Sequence, residues 1–208
     1  MLRLDHVVYA VRDLDEAADR LRRELGLDSA AGGRHAGWGT ANRIVPLGED
    51  YVELIAVVDS DEAAGHPFGR AVISATEGGD HLLATCVATN DIESVATRLG
   101  LDVRSGERAR PDGTVLRWRY AGMDDPRREP WLPFFITWDV PAEFHPGRAR
   151  SAHGIRAVGI AWVEVAGDAD RLRAWLGGED LAIRVVDGAP GLRAVALATA
   201  DGGELLLR

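Results

Sequence analysis

Lysine is missing from this chain: all 24 of its basic residues are arginine. That excludes Schiff-base chemistry and a lysine general base, and the bias reads as a GC-rich, bacterial coding sequence. Cysteine occurs once, as Cys86, so no internal disulfide can form and a reducing, cytoplasmic compartment is expected. No apolar run approaches the roughly 20 residues that span a bilayer. The N-terminus runs straight into a strand, without the charged lead and apolar core of a secretion signal, so export is not expected. Basic charge is also short: the net charge is −9, whereas phosphate-bearing partners want a basic footprint, which argues against nucleic acid and anionic membrane. A Gly-rich phosphate loop, a Gly-x-Ser-x-Gly elbow and a CxxC pair are absent as well. What is left, 46% hydrophobic and 27% charged over 208 residues, is a globular composition with enough chain to bury a sizeable core.

The most informative feature present is a repeated design. An apolar strand ending at Val11 runs into Asp13, which opens an amphipathic helix, and Asp13 to Leu21 aligns with Asp91 to Leu99. Gly26-Leu27-Asp28 and Gly100-Leu101-Asp102 follow the two helices, and a fainter third copy runs from Asp168 to Gly178. Repeats of this size indicate a duplicated supersecondary unit. Unit one (1–58) reads as a strand at about 3–11, a helix at 13–25, and strands at His35–Thr40, Asn42–Pro46 and Tyr51–Val57. Asp13 suits the N-cap and Gly26 the left-handed C-terminal position, while Leu14, Ala17, Ala18, Leu21 and Leu25 form a core-facing stripe. A polar linker (Asp59 to about Gly79) follows, with a short helix near Phe68–Ser74. Unit two (80–141) repeats the plan, with Pro111-Asp112-Gly113-Thr114 as turn chemistry. Unit three (154–208) is the most diverged and is expected to cover a sheet edge or support an interface. Units one and two together are expected to make one domain.

These residues carry a family resemblance. The βαβββ repeat, opened by "LDHVVYAV" and closed by "YVELIAV", resembles the vicinal oxygen chelate superfamily, which includes glyoxalase I, extradiol dioxygenases and bleomycin-resistance proteins. More narrowly, "GGRHAGWGTANRIVPLGEDYVELIAV", "RARPDGTVLRWR" and "LPFFITWDVP" resemble the glyoxalase-like domain group, over about residues 1–176. The resemblance implies an α+β fold: tandem βαβββ modules forming a curved mixed sheet around a cleft, with helices on the outside. It also implies a small-molecule ligand, lyase, isomerase or dioxygenase-type chemistry, a divalent metal held on the first and last strands of each unit, and pairing of chains into a homodimer.

Carried over residue by residue, the metal positions match His6 and Glu53 in unit one. Such a nitrogen and oxygen pair suits Zn, Fe, Mn or Ni. The corresponding unit-two positions fall on Ala84 and near Phe135 or Ile136, and unit three has Ala161; none can bind a metal. Catalytic zinc usually takes three protein ligands, so the site is incomplete unless His35 or His81 joins, and a metal-free site is favoured. His6 and Glu53 then read either as a hydrogen-bonded polar pair or as an acid/base pair. His35, Trp38, Thr40 and Asn42 could line the cleft, since glycines within a strand let a ligand approach. Arg108, Arg110, Arg117 and Arg119 flank Trp118; Arg110 and Arg117 are candidates to hold a carboxylate or phosphate. Phe135 is a candidate cleft wall. Cys86 reads as a buried apolar residue, and His66, His145 and His153 are assigned no role. Two functions follow: an enzyme transforming a small oxygen-bearing, anionic metabolite between units one and two, or a metal-free protein that binds or sequesters one.

Overall fold

The computed structural model describes residues 1–110 and 112–208; Pro111, part of the expected turn, lies outside them. The first helix, α1 (Leu14–Leu25), follows strand β1 (Leu2–Ala10) and begins where the Asp13 carboxylate accepts from the Asp15 and Glu16 amides. It ends at Gly26, whose φ of +67° suits a residue with no Cβ. Strands β2 (Ala30–His35), β3 (Thr40–Pro46) and β4 (Tyr51–Val57) complete the first unit. The second unit has β5 (His81–Thr89), β6 (Val103–Ala109), β7 (Val115–Ala121) and β8 (Phe134–Trp138), with its helix at Ile92–Leu99 capped by Asp91.

One strand expected from the sequence is a turn instead. Ala36-Gly37-Trp38-Gly39 joins β2 to β3, and Gly37 (φ +78°) and Gly39 (φ +68°) take left-handed conformations that a strand forbids. The pairing strand lies earlier, through Gly32-Gly33. The linker after β4 also folds more than expected, into two helices, Ser60–Gly65 and Pro67–Thr76. Asp59 caps the first, and the second starts at a proline, which needs no amide partner there.

Eight strands form one mixed sheet in the order β2-β3-β4-β1-β5-β8-β7-β6. β1 is parallel to β4 and antiparallel to β5, and β5 is parallel to β8, so the two units face each other across the β1–β5 pair. The sheet curls until its edges meet: a Cβ added to Gly33 would lie 2.3 Å from the Ala109 carbonyl oxygen. Strand alternation then separates two cores. Val7, Val52, Val87 and Phe135 face outward with α1, and Val8, Ile55, Cys86 and Phe134 face the enclosed side. Phe68 and Val72 of the linker helices cover that enclosed side.

Residues 157–207 make a separate four-stranded sheet. Its strands are β9 (Ala157–Ala166), β10 (Ile183–Val186), β11 (Gly191–Thr199) and β12 (Glu204–Leu207), with a helix at Ala169–Trp175. They run in the order β10-β9-β11-β12, so the first strand sits inside the sheet next to the second rather than pairing with the last. This sheet packs through Val163, Val195 and Leu197 onto the outer face of the main sheet, and Trp175 stacks on Phe135. It therefore covers a face, not an edge. Among the described residues no helix is long and apolar enough to cross a membrane.

Asp50 links this second sheet to the first. Its Oδ2 accepts from the Ile160 amide at 3.0 Å, and its buried Oδ1 has no partner. Burial pushes its pKa up to about 6, with the Asp5 charge adding to the rise. A carboxyl raised in the fold resists ionising there, so it lowers stability as pH climbs from about 4 to about 6 and stays a constant burden above. Asp50→Asn should therefore stabilise the protein by roughly 2 kcal/mol at pH 8, and the gain should vanish near pH 4. Urea melts at the two pH values check this; a gain independent of pH would contradict it.

Candidate functional site

The enclosed side of the sheet holds a narrow cavity, about 30 Å³ inside and about 430 Å³ when the open solvent at its mouth is counted. His6, Glu53, His35, Asn42 and Arg108 line it, walled by aromatic residues that include Trp38, Trp118 and Trp138. Parity places His6 and Glu53 there, because Val8, opposite Glu53 in the parallel pair, shares the His6 face. The His6 Nε2 and Glu53 Oε2 atoms are 3.8 Å apart, too far for a direct hydrogen bond.

His6 is held from behind by its neighbour. β1 slips register against β5 between Leu4 and His6, a bulge that lets consecutive side chains meet. Asp5 Oδ1 lies 2.7 Å from His6 Nδ1, Asp5 Oδ2 lies 3.1 Å from His145 Nε2, and the Trp138 indole N–H donates to the same carboxylate. Burial would push the Asp5 pKa up, but the bonds and charges of His145 and His6 outweigh it and hold the carboxyl well below its usual range. Because the Gly147 amide donates to His145 Nδ1, the proton of that ring sits on Nε2, facing Asp5. Asp5 thus accepts from three side chains, and the His6 proton belongs on Nδ1.

Glu53 is fixed from the other side. Asn42 Nδ2 donates to Glu53 Oε1 at 2.5 Å, and Asn42 Oδ1 accepts from the Gly33 amide. This arrangement needs glycine at position 32, where an added Cβ would fall 2.0 Å from Asn42 Oδ1. His35 Nε2 is 3.8 Å from Glu53 Oε1, and its Nδ1 meets Thr40 Oγ1 at 3.0 Å. Burial is the main cause that drops the His35 pKa to about 4, so this ring is neutral and cannot serve as a cation.

Arg108 supplies the charge. It is 4% exposed, and its buried Nη1 has no hydrogen-bond partner. Burial lowers its pKa, and Glu53 opposes the shift. The arginines expected to bind an anion are elsewhere: Arg117 is exposed and pairs with Glu107, and Arg110 donates to the Phe144 carbonyl. The placement of Arg117 follows from Trp118, which faces the cavity with Leu116 and Arg108 and sends Arg117 to solvent. Phe135 likewise faces the outer core, leaving Phe134 and Ile136 as walls. Of the remaining candidates, His35, Trp38 and Asn42 line the cavity, whereas Thr40 stands behind His35. The sequence reading passed over Asp5 and His145, because nothing in a strand pattern marks a bulge or a contact 140 residues away.

Strand register also settles the metal positions. Glu53 lies opposite Val8, and the equivalent pair in the second unit is Phe134 opposite Cys86, so the position near Phe135 or Ile136 is Phe134 and remains apolar. The four positions that the resemblance implies as ligands thus read His6, Glu53, Ala84 and Phe134, two donors where catalytic sites need three. The His6 and His35 nitrogens approach different oxygens of Glu53 and form no close triad with it. Among the described residues, the cluster that does converge, within 4.8 Å, is Asp5, His6 and Cys86. An ion there would have to break the Asp5–His6 bond and bind a thiol that burial pushes well above its ordinary pKa. These residues do not fit a resident metal.

The model of the glyoxalase-like domain family matches residues 4–182. No curated protein matches the chain in sequence. Among solved structures, a hypothetical protein from Staphylococcus aureus is similar at 20% identity with a TM-score of 0.76, covering 97% of this chain and 92% of that one. Methylmalonyl-CoA epimerase from Streptomyces coelicolor, in complex with 2-nitronate-propionyl-CoA, matches at 19% identity and a TM-score of 0.48, covering 66% of this chain and 98% of the epimerase. The Mycobacterium tuberculosis epimerase matches at 19% and 0.46, covering 67% and 89%. At such identities the likeness is one of fold. With its motifs, its curved sheet and a family match across most of its length, the chain belongs to the glyoxalase-like domain family.

Proposed function

We propose that this protein is an enzyme that moves a proton on a small, anionic, oxygen-bearing metabolite held in the cavity. The observation that carries this reading is the buried, unpartnered Arg108 Nη1 in the same cavity as the ionisable pair His6 and Glu53. A buried guanidinium with a free donor calls for an anion. Glu53 is the general base: its carboxylate is oriented by Asn42, and its second oxygen opens toward the cavity. In an enolising step the substrate C–H proton passes to Glu53, and the bonding electron pair moves onto the carbonyl oxygen to form an enolate. Return of the proton regenerates Glu53. The step draws only on groups of this chain.

The test is proton NMR in D2O with small 2-oxo carboxylates such as pyruvate and 2-oxobutanoate. Wild type should exchange the C–H adjacent to the carbonyl, and Glu53→Gln should slow exchange by about 10²–10⁴-fold. Binding without exchange would favour the sequestering function, for which the closed aromatic cavity is also suited. Absence of binding by every carboxylate tried would sink the proposal.

A further inference from the structure

The hydrogen-bond inventory of the cavity leaves three groups unspent. Asp5 accepts the hydrogen bond from His6 Nδ1, so in the neutral ring Nε2 presents its lone pair to the cavity. Glu53 Oε2 faces that lone pair at 3.8 Å, while Asn42 occupies Oε1 alone. Two acceptors therefore confront each other with no donor between them. Arg108 Nη1, in contrast, is a donor with no acceptor. The surrounding walls are aromatic: Trp38 and Trp118 stand edge to face at 6.3 Å, and Trp118 and Trp138 are tilted at 5.6 Å. Such surfaces favour a flat π-bearing body.

From these unspent groups we propose that the cavity selects a flat carboxylic acid that also carries a hydroxyl or enol group. The carboxylate pairs with Arg108, and the hydroxyl donates its one proton to Glu53 Oε2, beside His6 Nε2. This rests on the proposed anion-binding function and sharpens its substrate class. A hydroxyl about 2.8 Å from Glu53 Oε2 places a donor beside the 3.8 Å gap between the two acceptors. Discrimination by such a site is strong, because a ligand lacking the hydroxyl leaves two desolvated acceptors without a donor.

Isothermal titration calorimetry with benzoate, phenol, cyclohexanecarboxylate and the three hydroxybenzoates tests the idea. At least one hydroxybenzoate should bind ten-fold or more tightly than both benzoate and phenol, and benzoate more tightly than cyclohexanecarboxylate. Asp5→Asn turns its amide toward His6, reverses the His6 tautomer and places an N–H opposite Glu53. The preference for the hydroxyl should then fall to within two-fold. Glu53→Gln offers its own amide to His6 and should erase the same preference, so the test survives if Asp5→Asn fails to fold. Equal binding of benzoate and every hydroxybenzoate by wild type would overturn this inference and leave the anion site standing. If no carboxylate binds, benzoate included, both fall.

Discussion

Arg108→Met should raise the melting temperature and sharply weaken carboxylate binding in one substitution. The guanidinium is 4% exposed, its Nη1 is unpartnered, and burial works against its charge. Replacing a desolvated, incompletely satisfied cation by an apolar side chain of similar length removes that penalty, at the cost of its attraction to Glu53. The net gain should be about 1–3 kcal/mol, or several degrees for a domain of this size. Binding moves the other way. Losing a buried partner of an anion costs about 2–5 kcal/mol, roughly 30-fold to several thousand-fold in affinity. Differential scanning calorimetry and titration with pyruvate measure the two effects. A residue that merely packs would lower stability and leave affinity alone, and that pair of results would refute the role.

Asp5→Ala should be the most damaging single change in the cavity wall. It leaves the N–H groups of His6, His145 and Trp138 without their acceptor in a largely buried site. Each buried unsatisfied donor costs about 1–3 kcal/mol, and partial relaxation brings the expected total to about 3–5 kcal/mol. His145 ties the chain after β8 to the floor of the cavity, so losing the bond should also loosen residues 141–149. The pH dependence has a definite sign. A carboxyl held below its ordinary pKa contributes stability that is complete above about pH 4 and is lost as pH falls through the lower, folded value. The gap between Asp5→Ala and wild type should therefore be full at pH 7 and shrink in strong acid. Urea denaturation at pH 7 and pH 3 reads this out, and a gap under 1 kcal/mol at pH 7 would contradict the network.

Much of the architecture is written locally. Asp13, Asp91 and Asp168 cap their helices because a short carboxylate at that spacing meets free amides. Strand parity agrees with the resemblance in putting His6 and Glu53 on one face, and counting from the caps puts Ala84 at the position equivalent to His6. The turn at Gly37–Gly39 was misread as strand because a glycine in a strand and one in a tight hairpin look alike until the partner strands are known.

What the sequence alone determined is therefore the repeated units, their helix ends and the one-sided placing of His6 where the other copies have Ala84 and Ala161. Tertiary structure decided which arginine faces inward, that a bulge brings Asp5 behind His6, that His145 closes on it from far along the chain, and that the final sheet packs on a face. The physical reason is reach. Caps and periodicities arise from interactions a few residues apart, whereas the inward face of a strand depends on pairings formed across the whole sheet. The cavity's chemistry lies in the second kind of contact: Arg108 becomes an enclosed cation only because β6 curls round to meet β2 and leaves its guanidinium in one cavity with Glu53.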